Sequence, residues 1–413
     1  MSWVDTRLKH LCMDTGQYGL NVSADQYSQS GVRLIRTSDI SSDGSLSAPE
    51  NGVHVDLVVE PRHRLRPGDV LLSRSGTLGR SFLVPREANG QTFAGFLIRF
   101  RPRNDVDPRF LYYATQSLPF QEVVHSEAVA STIQNFNAER YSNIALRAPE
   151  AAEQRRIADF LDTETSRIDN LATLGARQVT LLRERSEALM TQFFTQGDGR
   201  REYRFRHLMQ SNPCYGVLVP KFADVGVPLI RVSDLGRLDM DLDRLPRIED
   251  EQAQEYKRTR ISPGDLLITV VGATIGRCDV APPEIDGFNI SRALARVQLA
   301  SGISPQMIAS WVRSRDFRIQ AELATSGAAA QPALNMSDIT HFTVWLPETD
   351  SGRRDLARRV SAHEHENRRL LSAIARKKSF IAERRQALIT AAVTGQFDVS
   401  TASGRNVTDG VTA

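Results

Sequence analysis

The chain has 413 residues, 41% hydrophobic and 24% charged, and a formal net charge of 52 − 49 = +3. That length suggests about two to three domains. No apolar run approaches the roughly 18 residues needed to span a bilayer. The start, Met1 to Arg7, lacks the apolar core of a signal peptide, so a cytoplasmic protein is expected. Three scattered cysteines, Cys12, Cys214 and Cys278, are too few for a disulfide framework or a zinc cluster. Only 5 of the 52 cationic residues are lysines. A GC-rich genome explains that bias, and guanidinium forks also suit phosphates and guanine edges.

In chain order, the first half offers Tyr18-Gly19 and then Gly31 to Ile40, within which Leu34-Ile35-Arg36 reads as a short buried strand. Pro67-Gly68-Asp69 is a turn, because Pro sets φ and Gly permits φ > 0. It leads into a strand at Val70-Leu71-Leu72, followed by Thr77-Leu78-Gly79-Arg80 and a strand at Phe96 to Phe100. Pro108 to Gln116 reads as an amphipathic helix with Pro in its first turn. From Glu153 to about Gln196 there is no Pro and a single Gly, Gly175. Ile157, Leu161, Ile168, Leu171, Leu182, Leu189 and Phe193 recur there at helical spacing. Roughly 44 residues at about 1.5 Å each give a helix of ~65 Å, long enough to suggest a coiled coil.

The pattern then repeats. Tyr215-Gly216, Gly226 to Leu235, Pro263 to Ile268 and Thr274-Ile275-Gly276-Arg277 match the first half in order. Leu266 to Val271 reads as a strand and Pro305 to Arg313 as a helix. The late match pairs Glu184 to Leu189 with Glu383 to Leu388, in a second apolar stripe of Leu356, Val360, Leu370, Ile374, Ile381 and Leu388. Two such stripes in one chain can bury each other by pairing. The expected fold is therefore α+β: two similar mixed α/β domains, 1–150 and 199–350, separated by two long helices, 151–198 and 351–397. The helices pack as an antiparallel coiled coil, giving a pseudo-twofold internal repeat, and 398–413 is a disordered tail.

Catalytic signatures are missing. The chain has no phosphate-binding Gly-x-x-x-x-Gly-Lys loop, no Gly-x-Gly-x-x-Gly fingerprint and no Gly-x-Ser-x-Gly elbow. An amino-methyltransferase tetrad is also missing; Ala281-Pro282-Pro283-Glu284 lacks its polar first and aromatic last residue. His363-Glu364-His365 is a poor metal site, because residues two apart on a helix face different ways; a solvated helix face is expected there.

The central stretch Pro149 to Asp162, with Glu153-Gln154-Arg155-Arg156-Ile157, and Thr165 to Asp169 after it, resembles the specificity subunits of type I restriction–modification systems. So do the paired Gly-Asp-hydrophobic runs ending in Gly-Arg, Gly68 to Arg80 and Gly264 to Arg277. The chain departs from that pattern at Ser351 to Asp355, and at Ala130 to Gln134 and Ala329 to Pro332, where the family often has a Gly-Thr/Ser turn. The resemblance implies a non-catalytic DNA reader whose two target-recognition domains each contact half of a split target. It implies as partners double-stranded DNA, two modification subunits that bind S-adenosylmethionine, and restriction subunits that use ATP and Mg; none of these cofactors is expected in this chain, and no membrane role. DNA-contact candidates are Tyr18, Arg36, Ser38, Arg74, Arg80, Ser131, Thr132, Gln134 and Asn135, with Tyr215, Arg231, Ser233, Arg277, Gln331 and Asn335 in the second half. Half-sites differ, so base readers should differ between repeats: Arg74, opposite Val270, is favoured over Arg36. Glu153, Gln154, Arg155 and Arg156 are candidates for partner docking. Alternatives are a specificity subunit with a fused nuclease–methyltransferase partner, a cryptic methyltransferase, and a coiled-coil scaffold without a DNA role.

Overall fold

The computed structural model describes residues 2–41, 44–46, 52–129, 135–236, 242–326 and 332–399. Ala176–Ala375 forms one compact unit, here unit 2, and the rest of the described chain forms unit 1.

Unit 1 holds two small sheets and a two-stranded ribbon. The first sheet runs Gln17–Tyr18, Leu97–Phe100, Val70–Ser73, Ser81–Leu83, all antiparallel. The second runs Tyr27–Ser28, Val53–Val55, Val32–Ile35, Thr92–Phe93, with the last pair parallel. Val4–Arg7 pairs antiparallel with Ala145–Ala148. Unit 2 repeats this strand for strand: Cys214–Tyr215, Leu294–Val297, Leu266–Thr269, Cys278–Val280 in one sheet. Phe222–Ala223, Arg247–Ile248, Val227–Ile230 and Asn289–Ile290 form the other, again ending in a parallel pair. Arg200–Arg204 pairs with Thr343–Pro347. A shared order of ten strands, including the parallel step, makes the sequence repeat a structural one.

Besides the short helical turns Leu8–Leu11 and Asp250–Glu255, the described residues form the helices α1 (Pro108–Gln116), α2 (Leu118–Val129), α3 (Ala138–Asn143), α4 (Ala151–Phe194), α5 (Pro305–Val312), α6 (Arg315–Thr325), α7 (Met336–His341) and α8 (Asp350–Thr394). α1 begins where expected because Pro108 needs no backbone donor and the Asp107 carboxylate accepts from Arg109 N and Phe110 N. α4 has 44 residues and α8 has 45, long because neither contains a proline.

Each unit buries part of both long helices. In unit 1 Ile157, Leu161 and Ile168 share a core with Leu388, Ile389, Ala392 and Val393. The two segments run antiparallel: Phe160 lies 5.6 Å from Phe397 between ring centroids, and Asp169 pairs with Arg385 at 3.2 Å. In unit 2 Met190, Phe193 and Phe194 share a core with Leu356 and Val360. There Ser186 meets His363 at 3.0 Å and Arg359 lies over the Phe193 ring at 5.1 Å, so that pairing is antiparallel as well.

The turn Pro-Gly-Asp does more than reverse the chain. Gly68 and Gly264 take φ of +89° and +88°, which favours glycine. The following aspartates are buried: Asp69 accepts from Arg66 N and from the Arg101 fork, and Asp265 accepts from Ser262 N and Arg296. A buried carboxylate needs such partners.

The solvated face expected at His363-Glu364-His365 is corrected. His365 is exposed, but His363 packs against Ser186 and Phe193, and Glu364 accepts from Ser310 (2.6 Å) and Arg313 (2.5 Å). The two half-buried residues face the partner helix and the sheet domain of unit 2. Among the described residues no group of His, Cys, Asp and Glu could hold a metal ion, and no helix is long and apolar enough to cross a membrane.

Candidate nucleic-acid interface

Arg74, Tyr18 and Asn135 come together in unit 1. Arg74 follows the strand Val70–Ser73, and its backbone is pinned on both sides: its N donates to Phe96 O and its O accepts from Phe136 N. The guanidinium lies over the Tyr18 ring at 4.8 Å, and Nε donates to Asn135 Oδ1 at 3.1 Å. Tyr18 is itself fixed, because its hydroxyl accepts from Ala138 N. The Nη nitrogens of Arg74 have no partner among the described residues, so a half-exposed, oriented fork is presented.

Unit 2 lacks this cluster. Leu334 N donates to Val270 O as Phe136 N does to Arg74 O, so Val270 and Ala333 occupy the places of Arg74 and Asn135. Tyr215 is kept, its hydroxyl donating to Leu334 O at 2.8 Å and burial holding its proton more tightly. The glycine after each tyrosine is explained by close approach. A Cβ on Gly19 would strike the carbonyls of Phe93 and Ala94, and one on Gly216 those of Ile290 and Ser291.

The residues shared by both repeats are tied up internally. Arg36 forks onto Asp39 with its own backbone N donating to the same carboxylate, and Arg231 does so to Asp234. The hydrogen bonds that they donate to Asp39 and Asp234 hold both guanidiniums more firmly protonated. Burial pushes the Asp234 carboxyl up, but the Arg231 bonds and charge outweigh it and leave the group below the usual range. Ser38 and Ser233 donate to those same two aspartates. Arg80 donates to Ile40 O at 2.6 Å, and Arg277 donates to Leu235 O at the matching position, so each ties its loop to the turn after Arg36 or Arg231.

Asn335 is the N-cap of α7, its side chain meeting the backbone of Asp338 while Asp338 answers to Asn335 N; it matches Asn137, which caps α3. Ser131, Thr132, Gln134 and Gln331 lie outside the described residues. At the start of α4, Glu153 and Gln154 are 6% and 4% exposed. Gln154 accepts from Asp107 N and donates to Pro149 O, and Glu153 accepts from Arg156. Gln154 ties the helix to Asp107 and Pro149 while Glu153 is turned onto its own helix, and both are buried; Arg155 and Arg156 are exposed. What the sequence reading missed are Asp39 and Asp234, the partners that occupy the repeated arginines. Their recurrence in both halves, three residues after Arg, was the available signal.

A family model described as type I restriction modification DNA specificity domain matches residues 35–176. The chain is 24% identical over 388 residues to the specificity subunit of the Escherichia coli restriction enzyme EcoBI, covering 87% of this chain and 78% of that one. It is 21% identical over 369 residues to the EcoKI specificity subunit of Escherichia coli K12, covering 83% and 77%. The chain is thus similar to the type I restriction–modification specificity subunits over most of its length. The fold agrees. A solved chain from a structural study of complex assembly and conformational transition in a type I system superposes with TM-score 0.72 at 18% identity, covering 96% of this chain and 98% of that one. The HsdS subunit of Thermoanaerobacter tengcongensis superposes with TM-score 0.53 at 19% identity, covering 96% and 97%. Specificity subunits are the non-catalytic component of their restriction systems.

Proposed function

We propose that this chain is a specificity subunit that reads a split, asymmetric DNA target, one half-site per unit. The observation that carries this is one scaffold with two different faces: ten strands in the same order in both units, but Arg74 and Asn135 in the first where the second has Val270 and Ala333. A shared frame with divergent side chains is what reading two unlike half-sites requires, since base edges are distinguished by donor and acceptor pattern. Arg74 is the proposed base-reading residue of unit 1. Arg80 and Arg277 are proposed to approach backbone phosphate with the donors that their loop carbonyls leave over.

In this reading α4 and α8 set the unspecified gap between half-sites. Two modification subunits dock on the helices, with Arg155 and Arg156 on the docking surface, and restriction subunits join them. S-adenosylmethionine, ATP and Mg belong to those partners. Support for the ruler is the absence of any break in 44 and 45 residues of helix, because half-site spacing on DNA follows a fixed helical repeat of about 34–36 Å. Mapping methyladenine across genomes with and without this gene tests the function: a split motif should vanish on deletion. Inserting whole helical turns into both α4 and α8 should change the gap and leave both half-sites intact. An unchanged methylation map after deletion would sink the proposal.

A further inference from the structure

Unit 2 contains a pocket of 320 Å³ whose lining includes Thr274, Gly276, Arg277, Arg313, Ser314 and Arg318 and no acidic residue. It lies at the N-terminus of α6, an 11-residue helix. Helix N-termini aim unpaired N–H groups and the positive end of the dipole outward, which suits an anion. The second observation is Ser314 itself. It is the N-cap residue, 4% exposed, yet its Oγ caps nothing and has no hydrogen-bond partner among the described residues. Buried hydroxyls are rarely left unpaired, and this one lines the pocket.

The charges around it are unevenly committed. Arg313 is held by Cys278 O and Glu364. Arg318 is more than half exposed, and its nearest carboxylate, Glu187, is 3.6 Å away. Asp316, in the first turn of α6, accepts from Trp311 Nε1 and Gln320 Nε2. Unit 1 keeps a pocket at the matching place, of 350 Å³ and lined by Thr77, Gly79, Arg80 and Gln121 among others, but its donors at the helix start are engaged. Ser117 there donates to Ala114 O at 2.7 Å, and Gln121, which stands where unit 2 has Arg318, donates to Gly79 O and Thr115 O. The difference lies in the donors: one repeat sets a bonded serine and a bonded neutral amide there, and the other an arginine and a vacant hydroxyl.

We infer that this pocket is a phosphate-oxyanion site present in unit 2 alone, with Ser314 Oγ, the first N–H groups of α6 and Arg318 as its donors. Its expected occupant is one backbone phosphate of the DNA held by unit 2, which rests on the DNA-reading role proposed above. Free inorganic phosphate is the other source of the same chemistry. Both can be tested on the full chain, comparing wild type with Ser314→Ala and with Arg318→Gln, the latter placing in unit 2 the residue type of Gln121. Inorganic phosphate, titrated by calorimetry in phosphate-free buffer, should bind wild type and bind each variant at least ~10-fold more weakly, since two of its donors are removed one at a time. Circular dichroism should show all three chains equally folded, as neither side chain supports a hydrogen bond of the fold. Phosphate binding that is undetectable in wild type, or equal in all three, overturns the site. Binding of a duplex carrying the mapped target, followed against salt, then identifies the source. Loss of about one unit of slope in Arg318→Gln assigns a DNA phosphate, and an unchanged slope assigns free phosphate. A wild type that binds phosphate but no duplex would refute the DNA role and leave the site standing.

Discussion

Arg74→Ala should erase preference at one base pair of one half-site while leaving the other half-site untouched. A guanidinium fork reading a guanine edge contributes about 1–3 kcal/mol of discrimination, equivalent to roughly 5- to 150-fold. Arg74 is suited to that upper range because it is already oriented, its Nε held by Asn135 Oδ1 at 3.1 Å and its plane 4.8 Å from the Tyr18 centroid. Rigid placement lowers the entropy lost on contact. Asn135 acts only through Arg74, so Asn135→Ala should cost the orienting hydrogen bond, about 0.5–1.5 kcal/mol, or roughly 2- to 10-fold in discrimination. The assay is competitive binding of duplexes that carry every single-base change in each half-site, with the subunit in its assembled complex. In a double-mutant cycle, Arg74→Ala with Asn135→Ala should be no worse than Arg74→Ala alone. Equal weakening on all duplexes, or additive losses in the double variant, would refute base reading by a pre-oriented arginine.

Three further outcomes follow from the packing and charge of the two units. Leu161→Ala, fully buried between α4 and α8 in unit 1, should lower stability by about 2–5 kcal/mol in denaturant melts, whereas Leu174→Ala, 57% exposed, should change it by less than ~0.5 kcal/mol. Gly216→Ala would force the strand edge away from the Ile290 and Ser291 carbonyls and should destabilise by about 1–3 kcal/mol, read as a lowered melting temperature. Asp234, its carboxyl held below the ordinary range by Arg231, is charged in the folded state at pH values where the unfolded carboxyl is protonated. Its stabilisation is therefore complete above about pH 4 and lost as pH falls through the lower folded value. The stability gap between wild type and Asp234→Asn should narrow in that acid window; a constant gap would count against the pairing.

The α+β architecture was legible because its signals are local and repeated. Pro108 and the flanking Asp107 place the start of α1, and the absence of proline over 44 and 45 residues gives α4 and α8. The parallel pairing of Val32–Ile35 with Thr92–Phe93 was not legible, since no local pattern specifies which distant strand closes a sheet. Side-chain roles were harder still. Arg99 sits in an otherwise apolar strand and is 4% exposed because Asp14, 85 residues away, accepts from it. Glu153 and Gln154 look like a polar helix face in the sequence, but the backbone N of Asp107 and carbonyl of Pro149 draw Gln154 inward. Arg74 stood out for a reason independent of structure: it is a polar residue at which two copies of one motif disagree.

The division of the long helices between the units imposes an order on synthesis. Unit 2 is a continuous stretch, Ala176–Ala375, whereas the core of unit 1 needs Leu388, Ile389, Ala392 and Val393 from the far end of the chain. At roughly 5–20 residues per second, a ribosome takes about 10–40 s to make the intervening stretch. Throughout that interval Ile157, Leu161 and Ile168 lack the share of their native cover that α8 supplies, while unit 2 can close as it emerges. The domain begun first is finished last, and a message cut short near its end would yield a nascent chain with one completed half and one adhesive half.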